Sequence, residues 1–153
     1  MYKWLNKFFK KNQKVNLQNL EYLIFGRFTD NDYDSYKIYK LTHTELFVDN
    51  REIWHSKRQT KEGYTFEGEL MLERKFKIAK NLINQVPDDI LDKNLNGFYT
   101  TGNKNEDQLV VVLFDGNFKK EITINDYVVK TENLPNGLKN FRLLIERKLK
   151  ELN

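Results

Sequence analysis

The chain reads as an α+β domain: a mostly antiparallel sheet of about five to seven strands, two helices packed on it, and an extra N-terminal amphipathic helix. Three observations predict this. Short alternating or β-branched apolar stretches, bounded by turn residues, recur in both halves of the chain. Two longer stretches repeat their apolar residues at spacings of three and four, the period of a helix face. The first fourteen residues, MYKWLNKFFKKNQK, hold five lysines and four aromatics and no acid.

At 100° per residue, Met1, Tyr2, Trp4, Leu5, Phe8 and Phe9 of that opening share one arc of a helix, and Lys3, Asn6, Lys7, Lys10, Lys11 and Lys14 share the other. A free helix of this length is marginal in water, so its aromatics need something to bury them. Residues 15–19 are mostly polar and read as a short tether to a single domain over 20–153. Residues 20–28 alternate but are apolar enough on both faces for a mostly buried strand. TDNDYDS at 29–35 is turn chemistry, and 36–41 alternates again, completing a hairpin. Two shorter strands follow at 45–48 and 52–55, then a polar loop at 56–63.

From residue 69 the period becomes helical. Leu72, Phe76, Ala79, Ile83 and Val86 make the apolar stripe until Pro87 stops it, which predicts a helix over 69–86 and a further short turn over 87–92. LVVVLF at 109–114 faces a second strand at 118–124 across Asp115-Gly116, a pair suited to a primed hairpin turn. Residues 127–129 continue the sheet. Asn133, Leu134 and Pro135 then open a last helix over 135–149 with Leu138, Phe141, Ile145 and Leu149 on its buried face.

Length and composition exclude several classes. A chain of 153 residues supports one core. Zero Cys excludes disulfides and thiolate chemistry, and two His are too few for most catalytic zinc sites. No apolar run reaches the roughly 18 to 20 residues of a membrane-spanning helix. Lys3, Lys7 and Lys10 interrupt any secretory apolar core, so the expected location is cytoplasmic, with peripheral membrane contact open to the leader. The net charge of +4 is misleading: with the five leader lysines set aside, 21 bases face 22 acids. The body is close to neutral, and a near-neutral body lacks the phosphate attraction that nucleic-acid binding needs.

Asp30, Asp32 and Asp34 have the spacing that opens a calcium loop. Ser35 stands where that loop needs glycine and Leu41 where it needs glutamate, so a hairpin tip accounts for them better. His43 and His55 lie on separate predicted strands with no metal-ligand spacing. Glu67, Glu69 and Glu73 sit where a helix dipole favours carboxylates. Ser35 and Ser56 lie in no nucleophile elbow, and no phosphate-cradling glycine loop exists. Tyr22, Tyr36, Tyr39 and Phe118 are the aromatics that could stack bases on a sheet. No catalytic residue, metal or cofactor is assigned.

The order of elements, together with Leu134-Pro135 followed by Leu138 and Phe141 in LPNGLKNFRLLI, resembles the small bacterial emfourin-like domains, whose namesake inhibits thermolysin-like metalloproteases. The likeness spans about residues 20–149, with the N-terminal helix and a long insertion between Thr42 and Tyr64 added. It implies a compact scaffold that acts by surface contact. The expected function is therefore a non-enzymatic protein-binding module of the inhibitor or immunity kind. Its candidate contacts are Asp30, Asp32 and Asp34 at the hairpin tip and Lys57, Arg58 and Lys61 in the long loop. The first alternative is a peripheral membrane protein anchored through Trp4, Leu5, Phe8 and Phe9, with Lys7, Lys10 and Lys11 facing anionic lipid. The second is an enzyme working with carboxylates alone.

Overall fold

The computed structural model describes residues 14–28, 37–49, 66–91, 108–125 and 134–153. The expected N-terminal helix, the TDNDYDS tip and the strands at 52–55 and 127–129 lie outside them. Among the described residues, six antiparallel strands form one sheet in the order β4-β3-β2-β1-β5-β6. They are β1 (Tyr22–Phe28), β2 (Lys37–Thr42), β3 (Leu46–Asp49), β4 (Glu69–Leu70), β5 (Gln108–Phe114) and β6 (Lys119–Asn125). Two helices among the described residues, α1 (Glu73–Ala79) and α2 (Asn136–Leu152), complete the α+β architecture.

Alternation along the strands sorts the side chains. Leu23 and Phe25 of β1, Tyr39 and Leu41 of β2, and Leu109, Val111 and Leu113 of β5 face the helices, where they share a core with Ala79, Leu138, Phe141 and Ile145. The opposite face buries Ile24, Ile38, Val110 and Val112. The three central strands, β2, β1 and β5, are thus buried on both sides, which is why LVVVLF is continuously apolar instead of alternating. Pairing of β1 with β5 (Tyr22 opposite Phe114, Arg27 opposite Leu109) sends the chain from β4 across the helix-covered face before it rejoins the sheet.

The helix expected over 69–86 is shorter and starts later. Glu69 and Leu70 pair with Val48 and Phe47 as an edge strand, and the Met71 amide donates to the Leu46 carbonyl at 2.8 Å. The ladder therefore claims backbone groups that a helix would have used, and Leu72 stays extended as the residue before α1. Beyond Ala79 the chain tightens into a 3₁₀ turn over Lys80–Asn84, a common way to end a helix, and a second such turn, Asp88–Leu91, follows Pro87. The β5–β6 turn is centred one residue later than expected. Gly116 is the first central residue, with φ of 93°, and Asp115 precedes it.

Two ties seat α2. Arg27 Nε donates to Glu146 Oε1 at 2.8 Å, joining β1 to the middle of the helix. Pro135, the cap residue just before α2, has no side chain able to cap it, and Asp89 supplies the missing acceptor: its Oδ2 accepts from the Gly137 amide at 2.8 Å. At the far end the Lys75 ammonium donates to the Leu152 carbonyl at 2.9 Å.

Candidate functional site

Beside β3, the short strand β4 carries an apolar corner. Leu70 lies opposite Phe47 on the face away from the helices, and two residues on, Leu72 precedes α1. Met71 between them turns into the core. Leu70 is 62% exposed and Leu72 64%, the two most exposed of the large apolar side chains among the described residues. Half-buried Phe66 packs against the Ile24 and Ile38 cluster, so the apolar surface runs from the second sheet face to the sheet edge. The stretch FEGELMLE, 66–73, holds Glu67, Glu69 and Glu73, all exposed, and no base. Glu73 is shared with Lys77 at 3.3 Å, an exposed pair worth little. Sequence reasoning set these carboxylates near the start of a helix and put Leu72 on its apolar stripe, whereas Leu72 precedes α1 and is exposed because the chain before the helix is taken up by β4. Leu70, Met71 and Leu72 are three apolar residues in a row between Glu69 and Glu73, a run that fits a strand or a helix, so no local signal marks them.

A second polar group sits in the middle of the same face. The Tyr22 and Phe114 rings stack at 4.9 Å across β1 and β5, and the Lys40 ammonium lies 4.6 Å from the centre of the Tyr22 ring. Burial pushes the Lys40 amine below its ordinary value, and burial, helped by the charge of Glu21, pushes the Tyr22 hydroxyl up. The ring face attracts a cation and so acts against the effect of burial on Lys40.

The sequence-predicted contacts Asp30, Asp32, Asp34, Lys57, Arg58 and Lys61, with Trp4, Leu5, Lys7, Phe8, Phe9, Lys10 and Lys11, lie outside the described residues. His43 is described: its ring Nε2 donates to the Leu20 carbonyl at 2.6 Å, pinning the β2–β3 turn to the entry of β1. Tyr22 and Tyr39 fall on opposite faces, with Tyr39 stacked on Phe25 inside the core, so they form no common platform for bases. The segment read as a tether is folded against the body. Val15 is buried, Asn16 caps a turn at Leu17–Asn19, and the Asn16 amide donates to Asp115 Oδ2 at 2.8 Å. Among the described residues no three His, Asp or Glu side chains are grouped to hold a metal, and no helix is long and apolar enough to cross a membrane. Compared with known proteins, the chain matches no family model, no curated protein and no solved structure.

Proposed function

We propose that the chain is a protein-binding module, inhibitor-like or immunity-like, that docks its partner on the Leu70 and Leu72 corner. The observation that carries this reading is the pair of leucines left in water at and just beyond β4, the last strand in the order among the described residues. Burying a side chain of that size recovers roughly 1.5–3 kcal/mol, and β4, last in the strand order among the described residues, is where an extended segment could join the ladder. The resemblance of the element order to emfourin-like domains supports the same mode, contact without chemistry. The reading places the chain in the cytoplasm.

The double variant L70E/L72E tests it. Both side chains are exposed, so its melting temperature should stay near that of the wild type, within about 0.5 kcal/mol of stability for each site. A protein cross-linked to the wild type in its native cells should be lost from the variant. Equal cross-linking to both would sink the proposal. A second reading rests on the leader, whose five lysines and four aromatics suit an anionic membrane surface. Co-sedimentation with phosphatidylserine vesicles should then disappear when residues 1–14 are removed, and binding that persists would exclude it.

A further inference from the structure

We infer that the outer face of the helix layer is a second contact surface, and that what it meets is an anionic lipid bilayer. Leu143 enters the headgroup boundary there, while Lys139, Arg147 and Lys150 of α2, with Arg74 and Lys80 beside them, lie among the lipid headgroups. This surface is distinct from the Leu70 and Leu72 corner, and its test stands apart from the one given there.

The near-neutral charge of the body conceals an uneven distribution. Of the 21 bases and 22 acids that follow residue 14, residues 73–84 and 136–152 hold nine bases and three acids, which leaves 12 and 19 elsewhere. Each of those three acids already has a base: Glu73 has Lys77 at 3.3 Å, Glu151 has Lys148 at 3.7 Å, and Glu146 has Arg27 of β1. Arg74, Lys80, Lys139, Arg147 and Lys150 are exposed, and among the described residues they share no ion pair with a carboxylate.

The fold gathers these bases on one side. Leu138, Phe141, Ile145, Leu149 and Leu152 turn one face of α2 into the core. At about 100° per residue, Lys139, Leu143, Arg147 and Lys150 fall within about 80° of arc on the opposite face. Two ties lay the stretch from α1 to Leu91 antiparallel beside α2: Lys75 donates to the Leu152 carbonyl at one end, and Asp89 accepts from the Gly137 amide at the other. Arg74 therefore stands at the Lys150 end, and Lys80 between the two ties. Leu143, 51% exposed, sits one helical turn from Lys139 and one from Arg147.

That leucine decides between polyanions. A nucleic-acid backbone would satisfy the bases and leave Leu143 in water. An anionic bilayer meets both, with the apolar side chain at the acyl boundary and the cationic heads among the phosphates. The alkyl stems of the lysines and arginines widen the apolar contact while their heads stay in the charged layer.

The chain has no cysteine, so Leu143→Cys places a single environment-sensitive nitrobenzoxadiazole probe on the full-length protein. On vesicles of phosphatidylserine and phosphatidylcholine its emission should shift to the blue, and doxyl-labelled lipid should quench it. Pure phosphatidylcholine vesicles should do neither, and raised salt should weaken both effects. The same probe at Thr44→Cys, exposed after β2, should stay unshifted. Adding Lys139→Gln, Arg147→Gln and Lys150→Gln, all at exposed positions, should leave the melting temperature unchanged and lower the vesicle partition read at position 143 by about a hundredfold. Vesicles that sediment the protein with no shift at position 143, the result if the leader alone held them, would overturn the inference. A shift that survives the triple substitution would do the same, as would a shift produced by duplex DNA and not by vesicles. Each of these results leaves the cross-linking comparison at Leu70 and Leu72 standing.

Discussion

Three backbone amides converge on the Asp115 carboxylate. Asn117 and Phe118 donate to Oδ1 at 2.8 and 2.6 Å and close the turn, and Asn16 donates to Oδ2 from a hundred residues away in the chain. These donors, the Asn16 amide first, hold its carboxyl below the usual range. Because the native state binds the proton more weakly than the unfolded chain, the stabilisation is present above the unfolded value of about 3.9 and is lost as pH falls through the depressed one. Asp115→Asn puts an amide N–H against the Asn16 amide or removes an acceptor from the turn. It should lower the urea midpoint at neutral pH, and the gap from wild type should narrow below about pH 4. A gap unchanged down to pH 2 would remove Asp115 from the acid response. Asp115 was legible as a turn residue from its place before Gly116. Its reach to Asn16 was not, since nothing local in the chain relates the two.

At the scale of elements, the N-terminus of α2 depends on a contact between distant parts of the chain. Asp89 approaches so closely that a Cβ on Gly137 would lie 2.7 and 2.8 Å from its carboxylate oxygens and 2.9 Å from Pro87 Cβ. Gly137→Ala gains at most about 1 kcal/mol of helix propensity, whereas crowding of this kind costs about 1–3 kcal/mol. The melting temperature should fall, and a variant more stable than wild type would refute the role given to Asp89. The stripe of α2 was readable because Leu138, Phe141, Ile145 and Leu149 keep the helical period, and the structure adds Leu152 to it. The start of α1 was misread for an opposite reason. Residues 69–72 fit either period, and pairing with Phe47 and Val48 settled the matter in favour of a strand.

Across the whole molecule, the sheet is loaded on both faces, and Tyr39 shows what that costs to open. It lies between β2 and the helices, stacked on Phe25 at 5.5 Å, and burial pushes its hydroxyl up to about 12. The unfolded chain loses that proton near pH 10. Stability from this group is therefore complete below about pH 10 and declines as pH rises towards the folded value. An ultraviolet titration should show a late step from Tyr39, beside that of the raised Tyr22, together with loss of the near-ultraviolet circular dichroism. Tyr39→Phe should remove that late step, and a wild type in which every tyrosine ionises near pH 10 without unfolding would contradict the buried placement.

Local composition and period were sufficient to determine the class of fold, the positions of β1, β2, β5, β6 and α2, and the separation of a cationic leader from a neutral body, because each depends on residues near one another in the chain. Strand order, the edge role of β4 and the corner formed by Leu70 and Leu72 were decided only in three dimensions. Which strand lies beside β1, and which leucine is left in water, depends on what the rest of the chain packs against them.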